Sequence, residues 1–181
     1  PSYTPKSNSP EDVEEARKKT FDIDGEGFAF SISYWSDPVY LGHYPEQLYK
    51  TFGDLVPAYN KEEMELISEP LDYYATNIYY SNASRNVEGY PENWYQGRPE
   101  TALEWPLSPE VMFWSSKFLY ERYGKPILIS ENGMAEHDWV CLDGKVHDSY
   151  RIDYTWRYLK EFERAWSESG VPIMGYLHWS I

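Results

Sequence analysis

Apolar residues along the chain fall into short continuous runs and into stripes at helical spacing, and their alternation predicts the elements. From residue 71 onward three segments carry strand character. They are LDYYATNIYY (71–80), rich in β-formers and bounded by Pro70 and SNAS; PILIS (126–130), a continuous apolar run; and IMGYLHWSI (173–181). Two helical stripes separate them. Ser108-Pro109-Glu110 opens the first, which carries Val111, Trp114, Phe118 and Leu119 on one face and closes at Gly124 before Pro126. Asp148 caps the second, whose expected buried face is Ile152, Trp156, Leu159 and Trp166, and Gly170 and Pro172 end it. Apolar strands alternating with amphipathic helices imply parallel strands joined by right-handed crossovers, hence an α/β fold.

The first seventy residues pattern differently. Ser9-Pro10-Glu11-Asp12 starts a mostly polar surface helix, with a capping serine, proline at the first helical position and acids near the positive end of the dipole. DIDGEGFAF interrupts it. The stretch from Trp35 to Pro57 mixes turn signals with short helical pieces, and Asn60 caps a short helix over 60–68. The polar and aromatic stretch 85–105 has no period and reads as a long functional loop. Three strands cannot close a barrel, and an eightfold barrel needs about 250 residues. The pattern therefore fits either a small open sheet or the last part of a barrel. Both ends read as cut, at Pro1 and inside the apolar run that stops at Ile181, so a fragment is expected.

Charge narrows the partners. With 30 acidic against 16 basic residues the net charge is −14, which repels nucleic acid and anionic membrane surfaces. No apolar run approaches the roughly 20 residues of a membrane span. Cys141 is the single cysteine, so no intrachain disulfide can form; with no targeting segment visible, the expected compartment is the cytoplasm. The four histidines lack metal-ligand spacing, and neither metal nor cofactor is expected. Aromatic content stands out, at eight Trp and 18 Tyr. Flat rings with polar tips suit ligands that present both C–H faces and hydroxyls, such as sugars, although composition alone slightly favours the simpler account, a large aromatic-rich core.

In parallel α/β folds the chemistry gathers at the C-terminal ends of strands. Three tips can be compared: Asn77 and Tyr79; Glu131-Asn132-Gly133; and His178, Trp179 and Ser180. Each has a bland reading. Glu-Asn-Gly makes an ordinary turn, Tyr79 can end a strand in water, Asn77 can form a turn, Trp179 can be a core aromatic, and His178 reads as a packed strand residue. Three adjacent tips offering a carboxylate, an amide with a phenol, and an indole favour a polyhydroxylated ligand instead.

These residues also resemble a known family. ILISENGM (127–134) is similar to the I/V-T-E-N-G nucleophile motif of glycoside hydrolase family 1, the retaining β-glucosidases and their relatives, with Ser130 in place of the usual threonine. DYYATNIYY resembles that family's D-F-x-G-x-N-Y-Y segment, EWPLSPEV its W-x-x-x-P-E-G-L helix entry, and LDGKVHDSYRIDY its D-G-x-x-x-D-x-x-R-I stretch. GYLHWSI matches the opening of G-Y-x-x-W-S-L. Val111 and Ala75 stand where the family usually has glycine.

The resemblance implies a (β/α)8 TIM barrel of which residues 1–181 supply roughly the C-terminal half, as one portion of a single glycosidase domain. It implies hydrolysis of β-linked glycosides or oligosaccharides with retention, with Glu131 as nucleophile and Tyr79 holding it ionised. Asn77, Trp105 and Trp179 would bind the sugar. The family's acid/base glutamate, in an N-E-P motif, has no counterpart here, and Glu104, Glu110, Glu136 and Asp138 are poor substitutes. The implied partner is thus the N-terminal part of the same barrel, and a homo-oligomer stays open. A sugar-binding or scaffold fragment without turnover is the alternative, and a transglycosylase a further one.

Overall fold

The computed structural model describes residues 2–23, 25, 27–82 and 100–180, and it divides into two compact units, Tyr3–Asp72 and Tyr73–Ile181. Most of the long loop expected at 85–105 lies outside the described residues.

The first unit is helical: α1 (Pro10–Phe21), α2 (Ile32–Leu41), α3 (Glu46–Phe52) and α4 (Lys61–Ile67). Local chemistry sets its helix starts. The Ser9 hydroxyl accepts from the Asp12 N–H at 3.2 Å, and Asn60 forms a full capping box with Glu63. Ala16, Thr20, Ile23, Leu48 and Met64 are buried, and Phe28, Tyr34 and Phe52 meet edge to face.

The second unit holds a three-stranded sheet, β1 (Tyr74–Asn77), β2 (Ile127–Asn132) and β3 (Ile173–His178), in the order β1-β2-β3. Both pairings are parallel, as expected. The first strand is shorter than the run 71–80, because the chain leaves the ladder after Asn77, which pairs with Glu131 across a register shift. The helices α5 (Glu110–Tyr123) and α6 (Ser149–Ser169) pack against one another. Ile127 and Ile129 are fully buried, as are Phe118 and Leu119 of α5. On β3, by contrast, Met174 and Leu177 are more than half exposed. Gly124 and Gly170 end the two helices in the left-handed conformation.

Ser108-Pro109-Glu110 opens α5 as expected, and the Ser108 hydroxyl accepts from the buried Ser81 N–H at 2.8 Å. One sequence expectation is corrected. The buried face of α6 is not Ile152, Trp156, Leu159 and Trp166, all of which are exposed, but Tyr154, Tyr158, Phe162 and Ala165. The reason is polar. The inward side of α6 meets backbone groups that have left the sheet ladder, and the hydroxyls of Tyr154 and Tyr158 satisfy them, whereas aliphatic side chains such as those of Ile152 and Leu159 carry no donor.

Candidate active site

Glu131 sits at the penultimate position of β2, and the strand continues one residue past it. Its Oε2 accepts a hydrogen bond from the Tyr79 hydroxyl at 2.7 Å, across 52 residues of sequence. Burial first, and then the bond to Glu131, push the Tyr79 phenol well above its ordinary pKa, so it stays a donor throughout the working pH range.

Asn132, read from sequence as part of a turn, is fully buried and joins all three strands to α6. Its Nδ2 donates to the Ile78 carbonyl at 2.8 Å and to the Tyr154 hydroxyl at 2.9 Å. Its Oδ1 accepts from Tyr176 at 2.9 Å, and its carbonyl accepts from the Trp179 N–H at 2.8 Å. Burial pushes the Tyr176 phenol up to about 12. Gly133 is required by close approach rather than by a turn. A Cβ there would lie 1.7 Å from the Trp179 carbonyl oxygen, so the backbone of β3's tip passes directly over this position.

Beside these tips opens a cleft of about 640 Å³ lined by Tyr79, Trp105, Gly133, His178 and Trp179. The Trp105 ring lies 5.0 Å from that of Tyr79 and 5.4 Å from that of Tyr80. Trp179 is 56% exposed, leaving its ring free for a ligand, and the Trp179–Ser180 peptide is cis. His178 is not the packed strand residue expected; it is exposed, lines the cleft, and lies 3.2 Å from the Tyr176 hydroxyl through Nδ1. The outer wall is the segment after Gly133, with Met134, Glu136 and Asp138. Arg151 holds it, by a bidentate pair with Asp138 (2.9 and 2.7 Å), a bond to the Met134 carbonyl (3.2 Å) and a contact with Asp148.

Of the residues singled out in the sequence, Tyr79, Trp105 and Trp179 line this cleft, and Glu131 is bonded to one of them. Asn77 lies outside the lining. Its backbone pairs with Glu131, and its Oδ1 accepts from the Ser130 hydroxyl at 2.8 Å. Sequence reasoning missed Asn132, Tyr154, Tyr158 and Arg151; the one available signal was tyrosine at helical spacing on α6. Among the described residues no cluster of three or more His, Cys, Asp or Glu is placed to hold a metal, and no helix is long and apolar enough to cross a membrane.

Known proteins resemble this chain over most of its length. Beta-glucosidase A of Thermotoga maritima is 34% identical over 149 residues, which is 80% of this chain and 33% of that protein. Beta-glucosidase A of Acetivibrio thermocellus is 33% identical over 178 residues, 92% of this chain and 39% of that one. Among solved structures, the family 1 β-glucosidase from Thermotoga maritima in complex with isofagomine lactam superposes with a TM-score of 0.74 at 31% identity, covering 99% of this chain and 39% of that one. The chain thus spans between a third and two-fifths of the length of these relatives, and it supplies part of a (β/α)8 barrel. The model for glycosyl hydrolase family 1 matches residues 1–181, and the chain belongs to that family.

Proposed function

We propose that this chain carries the nucleophile half of a retaining β-glycosidase of β-glucosidase type. The observation that bears the proposal is the Tyr79–Glu131 hydrogen bond at the end of β2, beside a cleft lined by Trp105 and Trp179. An ionised carboxylate attacks the anomeric carbon of a β-glycoside. The new C1–O bond to Glu131 forms as the glycosidic C1–O bond breaks, and the leaving oxygen takes a proton from an opposing carboxylic acid about 5 to 5.5 Å away. That group, now a base, takes a proton from water. The resulting attack at C1 releases the Glu131 carboxylate, and two inversions give net retention. The indoles of Trp105 and Trp179 offer flat apolar faces to the sugar ring.

The opposing acid belongs, on this reading, to the N-terminal part of the same barrel, so residues 1–181 form one portion of a single glycosidase domain. Two observations support the missing part: the exposed apolar side chains Met174 and Leu177 on β3, and the partial span of the relatives. The likeness to Thermotoga enzymes solved with deoxynojirimycin and isofagomine lactam supports a glucose-like glycone.

The test is covalent trapping. The full-length protein is treated with 2,4-dinitrophenyl 2-deoxy-2-fluoro-β-glucoside, digested, and analysed by peptide mass spectrometry. The label is expected on Glu131, with Glu131→Gln lowering kcat by about four orders of magnitude. A label on another carboxylate overturns the assignment; complete absence of label and turnover favours a binding or scaffold protein of the same fold.

A further inference from the structure

We infer that Tyr154 and Tyr158 of α6 are positioning residues for the Glu131–Tyr79 pair, gripping the Tyr79 backbone from behind so that its phenol meets the carboxylate. This rests on the reading of Glu131 as nucleophile and adds to it the part of the molecule that aims it.

The need arises from where β1 stops. Among the described residues its ladder ends at Asn77 and no strand pairs with the carbonyls of Ile78 and Tyr79; buried carbonyls require donors, and side chains supply them here. Asn132 Nδ2 supplies one, to Ile78. The Tyr79 carbonyl receives two, from the Tyr158 hydroxyl at 2.9 Å and the Tyr154 hydroxyl at 3.4 Å. Both hydroxyls are themselves held. Asn132 donates to Tyr154 at 2.9 Å, and the Ser108 N–H donates to Tyr158 at 3.0 Å. Their rings stack with centroids 4.0 Å apart, and neither residue is more than 2% exposed.

The bonds close a circuit. Glu131 accepts from the Tyr79 phenol; the Tyr79 carbonyl accepts from the two α6 tyrosines; Tyr154 accepts from Asn132, the residue next to Glu131. The Ile78 N–H also donates to the Glu131 carbonyl at 3.0 Å, pinning the same dipeptide from the strand side. A buried network whose members are satisfied is rigid. Rigidity matters here because small displacements of a catalytic group cost rate steeply, a 1 Å error reaching about 100-fold. Phenylalanine would fill the space of either tyrosine equally well, so packing does not account for the hydroxyls.

The test is a double-mutant cycle on the full-length protein with the same fluoroglycoside, comparing wild type, Tyr79→Phe, Tyr158→Phe and the double variant. Two quantities are read, the first-order rate of covalent labelling and the half-saturating concentration. Tyr79→Phe is expected to slow labelling at least about tenfold. Tyr158→Phe slows it about three- to tenfold with the half-saturating concentration unchanged, and the double variant is no slower than Tyr79→Phe within about twofold, since both act through one phenol. Multiplying effects, or a lowered melting temperature with an unchanged labelling rate, would reduce Tyr158 to a packing residue and overturn the inference. Should Tyr158→Phe fail to fold, Tyr154→Phe, which removes the longer bond to Tyr79 together with the acceptor of one Asn132 N–H, is read by the same criteria. Mass spectrometry of each labelled variant separates the two claims. Label away from Glu131 refutes the nucleophile assignment, whereas label on Glu131 at an undiminished rate refutes only the role of α6.

Discussion

The cleft has two walls built on different physics. The inner wall, at the tips of β1, β2 and β3, is held by neutral groups: buried Asn132, Tyr154 and Tyr158 and the half-buried Tyr176 exchange hydrogen bonds with one another and with backbone that has left the ladder. The outer wall, the segment following Gly133, is held by charge at the surface, chiefly by Arg151 with Asp138. The first arrangement is insensitive to salt and costs much to disturb, because a buried polar group that loses its partner keeps its desolvation penalty. The second is screened by ions and cheap to disturb. On the proposed reading of Glu131 as nucleophile, the group to be aimed lies on the inner wall, while the side that would meet the variable part of a substrate lies on the adjustable one.

Glycine substitutions break this comparison most sharply. Gly133 in the inner wall and Gly144 in the outer segment look alike in sequence, each followed by a long side chain. At Gly133 a methyl group would collide with the Trp179 backbone, at 1.7 Å from the carbonyl oxygen and 2.8 Å from its carbon. Gly133→Ala should therefore displace Trp179 and destabilise the protein by about 3 kcal/mol or more. At Gly144 nothing lies within 4 Å of a new Cβ, and only the left-handed φ of +76° resists. Gly144→Ala should cost about 1 kcal/mol. Thermal melts of both variants check this, and equal losses would remove the distinction between the walls.

The same contrast explains what the sequence could show. Helix caps are local, so Ser9, Asn60, Gly124 and Gly170 are legible from their neighbours alone. The parallel order follows from alternating strand and helix patterns, and Glu131 and Tyr79 stand out as chemistry at the ends of strands. The buried side of α6 was not legible. Hydrophobicity ranks Ile152 and Leu159 above tyrosine, yet the surface they would have faced carries carbonyls, which only a donor can satisfy. Asn132 failed for a related reason. Between Glu131 and Gly133 it looks like a turn residue, and its partners Ile78, Tyr154 and Tyr176 are all more than twenty residues away. Nothing beside Ser108 in the sequence points to Ser81, from whose N–H its hydroxyl accepts. Polar groups with distant partners are the part of a fold that local pattern cannot anticipate.

An intermediate effect is expected at Arg151. Lysine keeps the charge but cannot reproduce the planar fork that takes both Asp138 oxygens while reaching the Met134 carbonyl. Arg151→Lys in the full-length protein should leave the melting temperature nearly unchanged and kcat intact. It should raise KM several-fold for substrates with a long aglycone, because the outer wall is no longer held in place. Added salt should move the wild-type KM in the same direction and the variant's less. Steady-state kinetics at low and high salt check this; a loss in kcat at constant KM would place Arg151 with the inner wall instead.

The smallest effect belongs to Asp138. Its hydrogen bond with Arg151, ahead of any other influence, holds its carboxyl below the ordinary aspartate value of 3.8. The sign follows from a depressed pKa in the folded state. The pair's contribution is complete above the ordinary aspartate range, constant up through neutrality, and lost only as pH falls through the lowered value. The outer wall should therefore keep its hold on Met134 across the whole neutral and mildly acidic range. Carboxyl-carbon NMR of selectively labelled protein can follow Asp138 directly: its midpoint should lie below 3.8 in the wild type and rise toward that ordinary value in Arg151→Ala. A midpoint indifferent to loss of the guanidinium would mean that the charge pair does not hold the outer wall, and the difference between the two walls would have to be sought in backbone contacts alone.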